Sequence, residues 1–171
     1  MDSYKEKKTI VKKDGRERKE YDYIGKFVNG FAVVVLNGRY GYINDEFEEI
    51  VPPQYILAYE FRNGFARVVK DGLFGFINEK GDVVVPFKYE YAEDFYNGIA
   101  EVRREKFSAA TYYYTIYLYG YVDEKGNEVV PLEYEKVVHE FGIVTATKHD
   151  ENGQIQLDQF YEKDLISDNR L

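Results

Sequence analysis

The chain has no cysteine and no tryptophan, one methionine, two histidines and four prolines in 171 residues. Without cysteine there is no disulfide framework and no thiolate metal site. The two histidines, His139 and His149, stand ten apart. His149-Asp150-Glu151 lacks a second imidazole at ligand spacing, so both histidines read as exposed turn residues and no metal is expected. The three serines, Ser3, Ser108 and Ser167, have no triad partners near them in pattern, and no glycine loop of phosphate-cradling type is present. Asp150-Glu151-Asn152-Gly153 does not follow an EF-hand loop. Glu90, Glu93, Asp94, Glu133 and Glu135 recur between repeated segments and read as solvated loop faces, not as a catalytic carboxylate pair. The chain is therefore expected to be no enzyme and to need no cofactor. No stretch approaches ~18 apolar residues, the length of a membrane-spanning helix. Met1 to Lys8 have no apolar run behind them, so no secretory signal is read and a cytoplasmic location is expected.

What the chain has in excess is aromatic side chains, 18% of all residues, from 18 Tyr and 12 Phe. Tyrosine buries a ring while keeping its hydroxyl near water, which suits thin layers and interfaces. The formal charge of −8 is unevenly spread: residues 1–20 carry eight basic and five acidic side chains, the rest 15 and 26. An acidic body repels phosphate, so direct nucleic-acid binding is not expected.

A unit of 34 residues is written three times. Asn-Gly-Phe-Ala at 29–32 returns at 63–66 and, as Asn-Gly-Ile-Ala, at 97–100, which sets Gly30, Gly64 and Gly98 in register. An aromatic-Gly-aromatic triplet follows each copy: Tyr40-Gly41-Tyr42, Phe74-Gly75-Phe76, Tyr119-Gly120-Tyr121. A β-branched run then leads to Pro52, Pro86 or Pro131, and a tyrosine follows at Tyr55, Tyr89 or Tyr134. Such a period decides architecture before any single residue does.

Each unit predicts three short strands. Ala32 and Val34, Ala66 and Val68, and Ala100 and Val102 share a face, with Arg67 and Glu101 opposite. Asn37-Gly38 and Asp71-Gly72 predict type I′ hairpins. The triplet glycine is expected where backbone or a ring approaches closely. Glu79-Lys80-Gly81-Asp82 and Glu124-Lys125-Gly126-Asn127 predict a second hairpin with a left-handed glycine. Phe47 stands at that glycine position in the first copy, so a different turn is expected at Asp45-Glu46-Phe47. Proline is expected to end the third strand, because it cannot donate to the ladder. A three-stranded meander cannot bury both faces, so neighbouring units must stack.

This set of positions resembles the bacterial WG-containing repeat, from about Tyr21 to Tyr134, with Tyr40, Phe74 and Tyr119 at the motif tryptophan. The resemblance implies a repeat-based β architecture and binding, and brings no catalytic residues. The expected fold is all-β, with meander repeats stacked as a solenoid-like array or closed as a propeller or barrel. The expected layout is a cap hairpin at 1–20, repeats at 21–55, 56–89 and 90–134, a degenerate cap repeat at 135–158 and a tail at 159–171 holding a short helix or frayed.

The third copy departs from the others. From the strand alanine to the triplet glycine is nine residues in copies one and two but twenty between Ala100 and Gly120. The simplest consequence is a hairpin over 103–119, projecting roughly 18 Å beyond its neighbours. Tyrosines occupy both its faces: Tyr113, Tyr117 and Tyr119 on one, Tyr112 and Tyr114 on the other. The hairpin either folds back on its own body, packs in a homo-oligomer, or binds another protein through Phe107, Tyr112, Tyr113, Tyr114 and Tyr117, with Arg103 and Arg104 orienting an acidic partner. A protein-interaction module is the leading expectation. An acidic inhibitor that blocks a basic groove on an enzyme is the alternative.

Overall fold

The computed structural model describes residues 8–11, 18–106 and 116–166. The chain divides into two compact units, Met1–Val83 and Val84–Leu171. The first contains β1 (Lys8–Val11), β2 (Arg18–Tyr21), β3 (Tyr23–Ile24), β4 (Phe31–Leu36), β5 (Arg39–Asn44), β6 (Glu49–Tyr55), β7 (Leu57–Ala58), β8 (Phe65–Lys70) and β9 (Leu73–Asn78). At the division begins β10 (Val83–Tyr89). It is followed by β11 (Tyr91–Ala92), β12 (Ile99–Lys106), β13 (Ile116–Asp123), β14 (Glu128–Tyr134), β15 (Lys136–Glu140), β16 (Ile143–His149), β17 (Ile155–Tyr161) and the single turn of helix α1 (Glu162–Leu165). The fold is all-β. Its sheets are antiparallel meanders with neighbours in chain order, β1-β2, β3-β4-β5-β6, β11-β12-β13-β14 and β15-β16-β17 among them, and none of these closes into a barrel.

Each repeat has a strand that the periodicity did not announce. After the buried tyrosine the chain runs briefly antiparallel to the alanine-bearing strand, pairing Tyr23 with Val35, Leu57 with Val69 and Tyr91 with Arg103. Two residues are too few to show a period of two. The expected type I′ turns are present, with φ of +52° and +72° at Asn37-Gly38 and +52° and +84° at Asp71-Gly72. The signature Asn-Gly is a turn of the same kind: Asn29, Asn63 and Asn97 have φ near +50°, and Val28 and Phe31 exchange both backbone hydrogen bonds across it.

Two expectations fail. The third strand does not stop at proline: β6 runs through Pro52 to Tyr55, β10 through Pro86 to Tyr89, and β14 through Pro131 to Tyr134. Tyr42 pairs with Val51 and Tyr40 with Tyr55, so 52–54 bulge opposite Gly41 alone. A bulge needs no ladder donor, which is why proline is tolerated there. That bulge also explains the triplet glycine: a Cβ on Gly41 would lie 2.4 Å from the Val51 carbonyl oxygen, and one on Gly120 would lie 2.7 Å from that of Val130. It is backbone, not a ring, that approaches.

The second failure is Phe47. It keeps the turn of its glycine counterparts, with φ +63° and the hydrogen bonds Asn44 N–H to Glu48 O and Phe47 N–H to Asn44 O. The turn is held by the residue before it. Asn44 Oδ1 accepts from Glu46 and Glu48, as Asn78 does from Lys80 and Asp82, and Asp123 from Lys125 and Asn127. Glycine at Gly81 answers a different demand: a Cβ there would come within 2.8 Å of Val51 Cγ2. Phe47 instead projects beside Phe27, edge to face at 5.5 Å. Phe141 is also left-handed, with φ +52° in the Phe141-Gly142 turn, and is fully exposed. Phe141→Asn is therefore expected to stabilise the chain by about 1 kcal/mol, seen as a rise of roughly 2–4 °C in unfolding temperature.

One device recurs within both compact units. The buried tyrosine that ends β2, β10 or β14 donates to a carboxylate of the following sheet: Tyr21 to Glu49 at 2.7 Å, Tyr89 to Glu128 at 3.1 Å, Tyr134 to Asp158 at 2.9 Å. Lysine completes two of these sites, Lys19 on Glu49 at 2.5 Å and Lys88 on Glu128 at 2.8 Å. In the first unit Tyr42 adds a hydrogen bond to the Tyr59 carbonyl, and its ring packs on Phe61. In the second, Ile99, Tyr121, Val130, Tyr134, Val144, Ala146 and Leu165 form one buried cluster.

Candidate interaction surface

The repeats turn at equivalent places. Leu36 pairs with Arg39 and Lys70 with Leu73 across two-residue loops. In the third copy the corresponding pair is Arg104 and Leu118, and the ladder continues outward through Glu105↔Tyr117 and Lys106↔Ile116. Arg104, Glu105, Lys106 and Tyr117 are exposed. Phe107, Tyr112, Tyr113 and Tyr114 lie outside the described residues.

Strand alternation puts Glu101, Arg103 and Glu105 on one face, opposite Tyr121, Tyr119 and Tyr117. Tyr91 approaches the same face from β11. The Arg103 guanidinium lies 4.4 Å from the Tyr91 ring centroid and 5.1 Å from that of Tyr119, while its Nε donates to Glu101 at 2.8 Å. Burial is the largest single influence and works against the Arg103 charge, but the Glu101 hydrogen bond and charge, with Tyr119 and Tyr91, together outweigh it and raise the pKa. The Tyr121 hydroxyl reaches the other Glu101 oxygen at 3.5 Å. The sequence marked Arg103 for a partner; the structure engages it within the chain and leaves Arg104 exposed. Tyr119 is half-buried beneath it. The first unit holds a smaller version, Arg67 over Tyr59 at 4.2 Å. A guanidinium stacked this way is worth roughly 0.5–2 kcal/mol.

At the foot of β14, Glu128 accepts from Lys88 and Tyr89. The Lys88 hydrogen bond pulls the Glu128 pKa down and raises that of Lys88. Sequence reasoning missed Glu101 and Tyr91 as members of this face. Outward alternation places only Glu101 on a face, and Tyr91 stands in a two-residue strand too short to show a period.

The histidines are partners of carboxylates. His149 Nδ1 lies 2.7 Å from Glu135, in an exposed pair. His139 is not the exposed turn residue expected: it sits in β15, half-buried between Tyr96 and Tyr121, with Nε2 3.1 Å from Glu162. The longer β15, which replaces a loop of the other repeats, carries it inward. Among the described residues no group of three or more His, Asp or Glu is placed to hold a metal ion, and no helix is long and apolar enough to cross a membrane.

Gly30, Gly64 and Gly98 occupy left-handed turn positions, and Tyr40 and Phe74 are half-buried beside buried Gly41 and Gly75. These features define an all-β protein of tandem antiparallel meanders with a glycine-centred bulge. The sequence pattern of the WG containing repeat matches residues 19–40, 40–74, 74–106 and 119–141, and the chain belongs to that family. No curated protein and no solved structure matches the chain.

Proposed function

We propose that this chain is a non-catalytic protein–protein interaction module. In this reading its stacked, solenoid-like meanders are scaffold and its contacts come from the extended hairpin over 103–119. The observation that carries the reading is the β12–β13 ladder, which passes the turn position of the other repeats and leaves Arg104, Lys106 and Tyr117 exposed. Below it, the Tyr91–Arg103–Tyr119 stack and Glu101 give the hairpin a rigid base. Rigid aromatic anchors on a pre-organised support bind at low entropic cost. The acidic-inhibitor alternative draws less support, because Glu49, Glu101, Glu128 and Glu133 are each paired with a lysine or arginine of the same chain.

The test is to replace residues 105–117 by Asp-Gly, joining Arg104 to Leu118 as Asp71-Gly72 joins Lys70 to Leu73. The variant is expected to keep its circular dichroism and unfolding temperature. A partner recovered with the intact protein, purified and titrated by calorimetry, is expected to bind the variant at least about tenfold more weakly. Equal affinity for both proteins would remove the hairpin from the binding surface.

A further inference from the structure

Among the described residues, the last sheet stops one strand early. The Glu135 N–H donates to the Thr147 carbonyl as Asp22 does to Val35 and Glu90 to Arg103, so β16 stands where β4 and β12 stand and β17 where β5 and β13 stand. β5 lies between β4 and β6, and β13 between β12 and β14. β17 pairs with β16 from Ile143↔Tyr161 to His149↔Ile155, and no described strand pairs with its outer side.

Protein sheets usually blunt an open edge with lysine, proline, a bulge or a short strand. β17, Ile-Gln-Leu-Asp-Gln-Phe-Tyr, has none of these over its seven residues. Its one charge, Asp158, accepts a hydrogen bond from Tyr134. Ile155, Leu157 and Tyr161 share a face and are 69%, 59% and 49% exposed. The missing fourth strand has a known chemistry, because β6 and β14 fill that place elsewhere with Glu-Ile-Val-Pro and Glu-Val-Val-Pro. The surroundings set the charge. From Asp150 to Leu165 the carboxylates are Asp150, Glu151, Asp158, Glu162 and Asp164, against Lys163 alone.

We propose that β17 is a docking edge at which a basic, extended segment of a partner protein adds as an antiparallel strand. Its backbone completes the sheet, its alternate β-branched side chains cover Ile155, Leu157 and Tyr161, and its lysines or arginines meet the carboxylates at either end. A second copy of this chain is the poorer occupant, since self-pairing sets two acidic edges against each other. The proposal is independent of the hairpin over 103–119.

The probe is a fluorescein-labelled peptide of alternating valine and threonine with lysines at both ends, compared with the same core flanked by glutamates. The lysine peptide is expected to bind, to slow hydrogen exchange of the 155–161 amides, and to weaken as salt is added. The glutamate peptide, and the Ile155→Lys/Leu157→Lys double variant, are expected to show binding at least about tenfold weaker. Both substituted side chains are exposed, so the double variant is expected to fold; Gln159→Lys, also exposed on that face, repeats the test should it not. Unchanged exchange at β17 with millimolar peptide, or equal binding of the two peptides, overturns the proposal. So does light scattering that finds the intact chain dimeric and the double variant monomeric, which would give the edge to a second copy.

Discussion

Gly41→Ala is expected to destabilise the protein by about 3 kcal/mol, at the upper end of what one added methyl costs in a packed interior. In a chain of this length that lowers the unfolding temperature by roughly 6–12 °C. A Cβ at Gly41 would stand 2.4 Å from the Val51 oxygen, 2.7 Å from the Pro53 nitrogen and 2.9 Å from the Pro52 carbonyl carbon. All three are backbone atoms, so no rotamer change relieves the clash. Relief would require the bulge to move, and with it the strand that carries Tyr55 into the core, where it is 3% exposed. Gly120→Ala repeats the experiment in the second unit, against Val130 and Leu132. Gly38→Ala is the control: φ there is +72°, but nothing lies within 4 Å of the added atom. Its cost is conformational alone, about 1 kcal/mol. Thermal unfolding of the three variants checks the ranking, and equal losses at Gly41 and Gly38 would contradict the backbone contact.

Raising the pH past about 10 is expected to unfold the protein cooperatively, through tyrosines that resist ionisation while it is folded. Burial raises the pKa of Tyr42, with Tyr55 beside it adding to the effect, and burial raises Tyr55 itself. Burial and Glu101 raise Tyr121; burial and Asp158 raise Tyr134. Tyr89 is pushed up to about 12 by burial, with Lys88 opposing and Glu128 assisting. Each folded pKa lies above its unfolded value. The stabilisation is therefore complete below about pH 10. It is lost as pH rises through the folded values, because the unfolded chain releases protons that the folded chain keeps. The urea midpoint is expected to stay level in neutral solution and to drop on the alkaline side. The tyrosinate absorbance of these five side chains should rise in step with the loss of circular dichroism. A full rise near pH 10 with the fold intact would contradict this account. Glu128 acts at the other end of the scale. Its pKa is lowered by Lys88, so its contribution is present above the ordinary carboxylate range and is lost as pH falls through the folded value.

Much of the scaffold was legible because its repeat is written in turn chemistry. Asn37-Gly38 and Asp71-Gly72 named their hairpins directly, since few dipeptides accept positive φ twice. The short strands β3, β7 and β11 were not legible, because two residues carry no period. Pro52, Pro86 and Pro131 misled in the other direction: proline excludes a ladder donor but not a bulge, and only the register separates the two. Phe47 misled because a left-handed phenylalanine is unfavourable locally, whereas the Asn44 side chain and the ring of Phe27 decide the turn. Of the candidate surface, the length of the insertion was visible in the spacing of Ala100 and Gly120. The commitment of Arg103 to Glu101, Tyr91 and Tyr119 was not, because it joins three strands across a face.

By itself the sequence determined the all-β class, the repeat family, the left-handed turns at Asn37-Gly38, Asp71-Gly72, Gly81 and Gly126, and the close approach at the triplet glycine. These follow from constraints that act within one or two strands. Tertiary structure alone decided that the triplet glycine lies under a proline bulge, that buried tyrosines link repeats through carboxylates, and that no described strand pairs with the outer side of β17. Each of these depends on which backbone meets which across the 28 or 39 residues that separate Tyr21 from Glu49 and Tyr89 from Glu128, and no local propensity encodes that.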